Sequence, residues 1–155
     1  MALPDTNARF ELTSTRDLAL GLRDLVLNGL AFQQVRAAHL GLSPTDLTAL
    51  EHVYLAGPLT PGDLATRLGL TSGSITPLVD RIQAGGYLLR DVNPDDRRSS
   101  LVKTTPAGES AMKQFFEEVD AVVRDALHEA PGIANTTMND AFQKTAHALK
   151  AHTAK

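Results

Sequence analysis

Between Thr71 and Arg98 the chain gathers side chains suited to recognition rather than to bond making. Thr71, Ser72, Ser74 and Thr76 place hydroxyls around Gly73, and each can hydrogen-bond to a base edge or a phosphate oxygen. If this stretch opens a helix, its free backbone amides favour an anion as well. Arg81 falls about a turn further on, within reach of a phosphate. Arg97 and Arg98 follow Asp95 and Asp96, and a basic pair at a hairpin tip suits the negative potential of a minor groove.

Covalent chemistry has no comparable set of residues. There is no Gly-rich phosphate loop and no G-x-S-x-G elbow, and the carboxylates are scattered over polar positions. His39, His52, His128, His147 and His152 form no HExxH or other close metal pair, and cysteine is absent. The expectation is therefore no enzyme, no cofactor, no metal site and no disulfide. The first residues lack the apolar stretch of a signal peptide, and no apolar run reaches membrane-spanning length. The expected location is the cytoplasm. A net charge of −3 looks wrong for a nucleic-acid binder. Residues 60–104, however, hold six basic residues against five acids, so the acidity lies elsewhere.

The elements that must position these groups can be read from periodicity and punctuation. Apolar residues from Leu18 to Val35 predict a helix over Thr15–His39, ending near Gly41. Ser43-Pro44 and Thr60-Pro61 each combine a capping hydroxyl with a proline at the first helical position, so two further helices start there. The second of them closes at Gly69. Thr71 can cap the next helix, in which Ile75, Leu78, Val79 and Ile82 recur with helical spacing up to Gly85-Gly86. Pro77 lies inside it, where a kink is expected. Two extended runs, Tyr87–Val92 and Ser99–Thr104, flank Asn93-Pro94-Asp95-Asp96-Arg97-Arg98, a hairpin with a charged tip. A long helix then begins at Pro106, with Met112, Phe115, Phe116, Val119, Val122, Val123 and Leu127 in a wide apolar stripe, and breaks at Pro131-Gly132. A last helix covers about Thr136–Ala151.

Short helix, tight turn, amphipathic helix, basic hairpin is the order of a winged helix-turn-helix, whose second helix enters the major groove. The stretch from Leu42 to Gly108 resembles the MarR family of regulators. The resemblance rests on Leu64-Ala65-Thr66-Arg67-Leu68-Gly69-Leu70, Leu78-Val79-Asp80-Arg81-Ile82 and Gly86-Tyr87-Leu88. It rests above all on the run from Asp95 to Gly108, where Asp96 and Arg98 match an Asp-x-Arg wing signature and Thr105 and Gly108 match a Thr-x-x-Gly element. The resemblance implies that Ser72 to Arg81 form the recognition helix. Arg98 would be the wing's minor-groove arginine, oriented by Asp96 through a charge-assisted hydrogen bond. Two departures stand out. Many relatives have a basic or small residue at Pro77, and an aliphatic one at Thr104.

The expected architecture is mainly α with a small β-hairpin wing. Residues 1–14 form a tail, 15–41 and 105–152 a helical dimerisation lobe, and 42–104 the winged helix-turn-helix. The wide terminal stripes need a partner, so a homodimer reading a pseudo-palindromic operator in double-stranded DNA is expected. Repression is the commoner mode the resemblance implies, with release by a small phenolic or lipophilic ligand. Phe32, Arg36, His39, His52 and Tyr54 are the candidates for its pocket. A winged helix that binds only protein is the alternative, and it would expose an apolar patch where this chain has Ser, Gly, Ser and Thr.

Overall fold

Residues 14–96, 98–129 and 135–153 are described by the computed structural model of the chain. The helices and strands are α1 (Thr15–His39), α2 (Pro44–Ala56), α3 (Pro61–Leu68), α4 (Ser72–Ala84), β1 (Leu88–Val92), β2 (Ser100–Thr104), α5 (Pro106–Glu129) and α6 (Asn135–Thr153). The chain divides into two compact units, residues 1–112 and 113–155. The expected break at Pro131-Gly132 lies outside the described residues, as does the expected tail except for Ser14.

Helix starts follow the local chemistry. Ser43 and Asp46 form a reciprocal capping box, and Ser14 and Asp17 form another. Thr60 accepts from the amide of Asp63. Thr71 occupies the N-cap position of α4 but caps no amide; its hydroxyl lies 2.9 Å from that of Ser74. The capping expected of Thr71 is thus replaced by a hydroxyl pair. The turn between α3 and α4 depends on Gly69, at φ 65° and ψ 29°, where a side chain would be strained.

Pro77 does not interrupt α4, which runs unbroken from Ser72 to Ala84. A proline there removes one amide, the donor to the carbonyl of Gly73. The buried side chains Ile75, Leu78, Val79 and Ile82 hold the helix against α2 and α3 on both sides of that gap.

β1 and β2 pair antiparallel, with Leu88 opposite Thr104 and Val92 opposite Ser100. A third chain segment joins them. Leu59, between α2 and α3, exchanges backbone hydrogen bonds with Val102 at 3.0 and 2.7 Å. This bridge ties the hairpin to the helices, and its sequence signal is a single residue beside Gly57-Pro58. The core of the first unit lies under it, built from Leu47, Leu50, Val53, Leu64, Ile82, Leu88 and Val102.

Asp46 and Arg81 join the start of α2 to α4. Asp46 is 2 % exposed, and both its oxygens accept from the Arg81 guanidinium, at 2.6 and 3.2 Å. Burial alone pushes this carboxyl up, but hydrogen bonds from Arg81 and Ser43 outweigh it and hold the carboxyl below the usual range. Because the Arg81 side chain remains 55 % exposed, Arg81→Ala is expected to lower stability by only about 2 kcal/mol at neutral pH. A depressed carboxyl stabilises fully above its unfolded value, about pH 4, and loses this contribution as pH falls through the lower folded value. In urea titrations the gap between wild type and variant should therefore close in acid. A gap that persists unchanged at pH 2 would show that the charge of Asp46 contributes nothing.

The terminal helices carry exposed apolar residues. α1 buries only Ala37, while Leu18, Leu25 and Leu30 are 63, 57 and 57 % exposed. In the second unit Val122, Val123, Phe142 and Leu149 are also half or more exposed. Among the described residues no helix is long and apolar enough to cross a membrane.

Candidate nucleic-acid interface

Thr71, Ser72, Gly73, Ser74 and Thr76 are all exposed, in the cap and first turns of α4. Their common origin is the core-facing set Ile75, Leu78, Val79 and Ile82, which leaves the polar positions on the outer side by helical period alone. Ser72 and Gly73 occupy positions where a helix leaves backbone amides without intrahelical partners, whereas the Ser74 amide donates to the Thr71 carbonyl at 3.0 Å; this end combines hydroxyls with N–H donors.

Arg81 is exposed on the same helix, but its guanidinium is engaged by Asp46, and a further donor reaches the carbonyl of Pro77 at 3.3 Å. The sequence puts Arg81 within reach of a phosphate and does not show its internal partner, Asp46. The signal was available only in part: Asp46 is recognisable as a capping residue, but nothing local shows that it also lies beneath α4.

The wing tip is a hydrogen-bonded scaffold. Asn93 is 8 % exposed; its Oδ1 accepts from the amide of Asp95 at 3.0 Å, and its Nδ2 donates to Ser99 at 2.8 Å. Ser99 in turn donates from its amide and its hydroxyl to the carbonyl of Asp96. The bond between Arg98 and Asp96 is not the expected charge-assisted one from the arginine side chain. Asp96 Oδ1 accepts from the backbone amide of Arg98, at 3.0 Å. The carboxylate therefore shapes the turn, and the exposed Arg98 side chain projects from a fixed backbone. Arg97, the second expected wing arginine, lies outside the described residues. An open groove of about 610 Å³ separates the wing from the start of α3, lined by Thr60, Pro61, Gly62, Asn93, Asp96, Arg98, Ser99 and Ser100.

Two of the acids near this face are paired with basic side chains of the protein. Asp80 on α4 accepts from Arg90 at 2.7 Å, and Asp91 pairs with Lys103. The hydrogen bond from Lys103, with one from the amide of Val92, holds the Asp91 carboxyl below its usual value. These pairs remove much of the repulsion that acidic side chains would present to a phosphate backbone.

The residues expected to line a ligand pocket sit on α1 and α2, which are joined by hydrogen bonds from Gln33 to Thr48 and Glu51. Arg36 lies over the Phe32 ring at 5.9 Å, both on α1. His39 is exposed and His52 half-buried. Tyr54 lines a cleft of about 260 Å³ with Val53, Gly57, Pro58, Lys103, Thr104 and Glu109. No group of three or more potential metal ligands occurs among the described residues.

Two short helices around a left-handed glycine, followed by a hydrogen-bonded hairpin, define a winged helix-turn-helix. The chain belongs to the MarR family of helix-turn-helix transcriptional regulators. The family's sequence profile matches residues 40–99. The HTH-type transcriptional regulator YcgE of Bacillus subtilis (strain 168) is 37 % identical over 124 residues, covering 79 % of each chain. The multiple antibiotic resistance protein MarR of Escherichia coli (strain K12) is 36 % identical over 83 residues, covering 50 % of this chain and 58 % of its own. Among solved structures, the transcriptional regulator Tm0710 of Thermotoga maritima superposes with a TM-score of 0.65 at 23 % identity, over 90 % of this chain and 99 % of its own. Reduced AbfR, a structure solved bound to DNA, gives 0.58 at 17 % identity, over 90 and 94 %. Both structural likenesses speak for the fold.

Proposed function

We propose that the protein is a homodimeric repressor that binds a pseudo-palindromic site in double-stranded DNA, with α4 in the major groove and Arg98 in the adjacent minor groove. The observation that carries this reading is the exposed Ser72-Gly73-Ser74 turn at the start of α4, on the helix that follows the Gly69 turn. Family membership supports it, as does the DNA-bound state of AbfR. The homodimer is supported by the exposed leucines of α1 and the apolar residues of α5 and α6, which form the dimerisation lobe in this reading. Release by a small phenolic or lipophilic ligand belongs to the same reading, with Phe32, Arg36, His39, His52 and Tyr54 as its candidates. A panel of phenolic acids that moved neither operator affinity nor thermal stability would remove that last part.

The test is selection of bound sequences from random duplex DNA, followed by titration of the winner across salt and by light scattering. The expected outcome is an inverted repeat bound by a dimer, with affinity falling steeply as salt rises because each neutralised phosphate releases counterions. Selection without symmetry, or a monomer at micromolar concentration with and without DNA, would overturn the dimeric reading.

Gly73 offers a second test. It has no positive φ, and an added Cβ would meet nothing nearer than the Thr71 hydroxyl at 4.0 Å. The fold therefore does not require glycine here, whereas close approach to DNA does. Gly73→Ala is expected to raise folding stability by about 0.5–1 kcal/mol through helix propensity while weakening operator binding several-fold. Equal or tighter binding would detach Gly73 from the interface.

A further inference from the structure

We propose that Pro77 is a specificity residue whose ring reads thymine through the C5-methyl group on the major-groove floor; the inference rests on the DNA-binding reading above. Ile75, Leu78, Val79 and Ile82 define the core side of α4. Residues 73, 77, 80 and 84, spaced at i, i+4, i+7 and i+11, fall on one line opposite to it, and all four are exposed. The hydroxyl residues Ser72, Ser74 and Thr76 flank that line. The part of α4 that projects furthest from the protein is thus Gly73, Pro77, Asp80 and Ala84.

Hydrogen-bonding capacity along this crest is small. Gly73 and Ala84 have no polar side chain, and Asp80 is held by Arg90. Beside it, Arg81 is engaged by Asp46, and Ser74 pairs with Thr71. The centre of the crest is an apolar, rigid pyrrolidine ring. It has no rotamer freedom to lose on binding, and Pro77 is exposed. Proline in a helix interior is also unfavourable relative to alanine. The apolar feature a major groove offers to such a ring is the methyl group of thymine. Gly73, one turn earlier on the same line, leaves room for the crest to approach.

The test uses the wild-type protein and the operator recovered by selection. Each thymine is replaced singly by uracil, which removes the methyl and keeps every hydrogen-bonding group. At one or two positions per half-site, affinity should fall about fourfold per methyl, and about sixteenfold when both half-sites are changed together. Pro77→Ala, which favours the helix, should bind the thymine and uracil operators equally. Wild-type affinity that is the same for thymine and uracil at every position would overturn the proposal. So would full uracil sensitivity retained by Pro77→Ala, or an operator without thymine in its half-sites. Each of these results leaves DNA binding intact. Failure of the selection to enrich any sequence would instead remove the DNA-binding reading, and this inference with it.

Discussion

Arg98→Ala is expected to weaken operator binding by at least about thirtyfold, with no change in the urea midpoint. The two effects separate because the scaffold of the wing uses the backbone of residue 98 and not its side chain. Asp96 accepts from the Arg98 amide, and Asn93, Asp95 and Ser99 close the rest of the tip among themselves. Alanine keeps every one of those bonds, and exposed substitutions of this kind usually stay within about 0.5 kcal/mol. Binding should respond differently. One arginine at a base or groove contributes about 1–3 kcal/mol, and a dimer inserts two, so the combined loss is about 2–6 kcal/mol. Arg98→Lys should recover the salt dependence but only part of the affinity, because an ammonium keeps the charge and lacks the planar fork. Fluorescence anisotropy at fixed ionic strength measures both variants. Full affinity in Arg98→Ala would take the wing out of the interface and favour a protein-binding role for the fold.

The helices were legible in the sequence because their signals are local. Ser43-Pro44 and Thr60-Pro61 announce helix starts through capping chemistry, and Ile75, Leu78, Val79 and Ile82 announce the buried side of α4 through their spacing. The features that needed the structure depend on residues far apart in the chain. Asp46 and Arg81 are 35 positions apart, and each has an ordinary local explanation, a helix cap and an exposed base. Leu59 reaches Val102 across two helices and a strand. Asn93 reads as a turn residue, yet its burial and its bond to Ser99 make it the centre of the wing tip. Pro77 shows the opposite case. Its local rule removes a backbone hydrogen bond, yet α4 continues from Ser72 to Ala84 with the four apolar residues around it buried. The candidate interface was legible as a composition, hydroxyls then arginines. Its outermost line follows from the same apolar spacing, which puts Pro77 opposite the core with the hydroxyls on its flanks, and the burial of that side bears out the spacing.

Gly108→Ala is expected to lower stability by about 3 kcal/mol, the largest folding effect among the substitutions considered. An ideal Cβ at this position would lie 2.1 Å from the carbonyl oxygen of Tyr87 and 3.1 Å from its carbonyl carbon. Both are backbone atoms, so no side-chain rotation relieves the clash. Nor can the segment back away cheaply. The Thr105 amide donates to that same Tyr87 carbonyl at 3.0 Å, its hydroxyl donates to the carbonyl of Gly86 at 2.6 Å, and the Gly108 amide donates to the Thr105 hydroxyl at 3.1 Å. Thr105 and Gly108 thereby clamp the start of α5 onto the strand entry that follows α4. Leu88 and Thr104, the first pair of the β1–β2 ladder, are the immediate neighbours of this clamp. Displacement there passes directly into the hairpin that carries Arg98, so operator affinity should fall together with stability. Gly62→Ala is the matched control, because its Cβ would meet the Thr60 hydroxyl at an ordinary 3.7 Å. Urea melts of the two variants decide the point. Wild-type stability in Gly108→Ala would mean that the start of α5 is free to shift, and the wing would then owe its position to the Leu59–Val102 bridge instead.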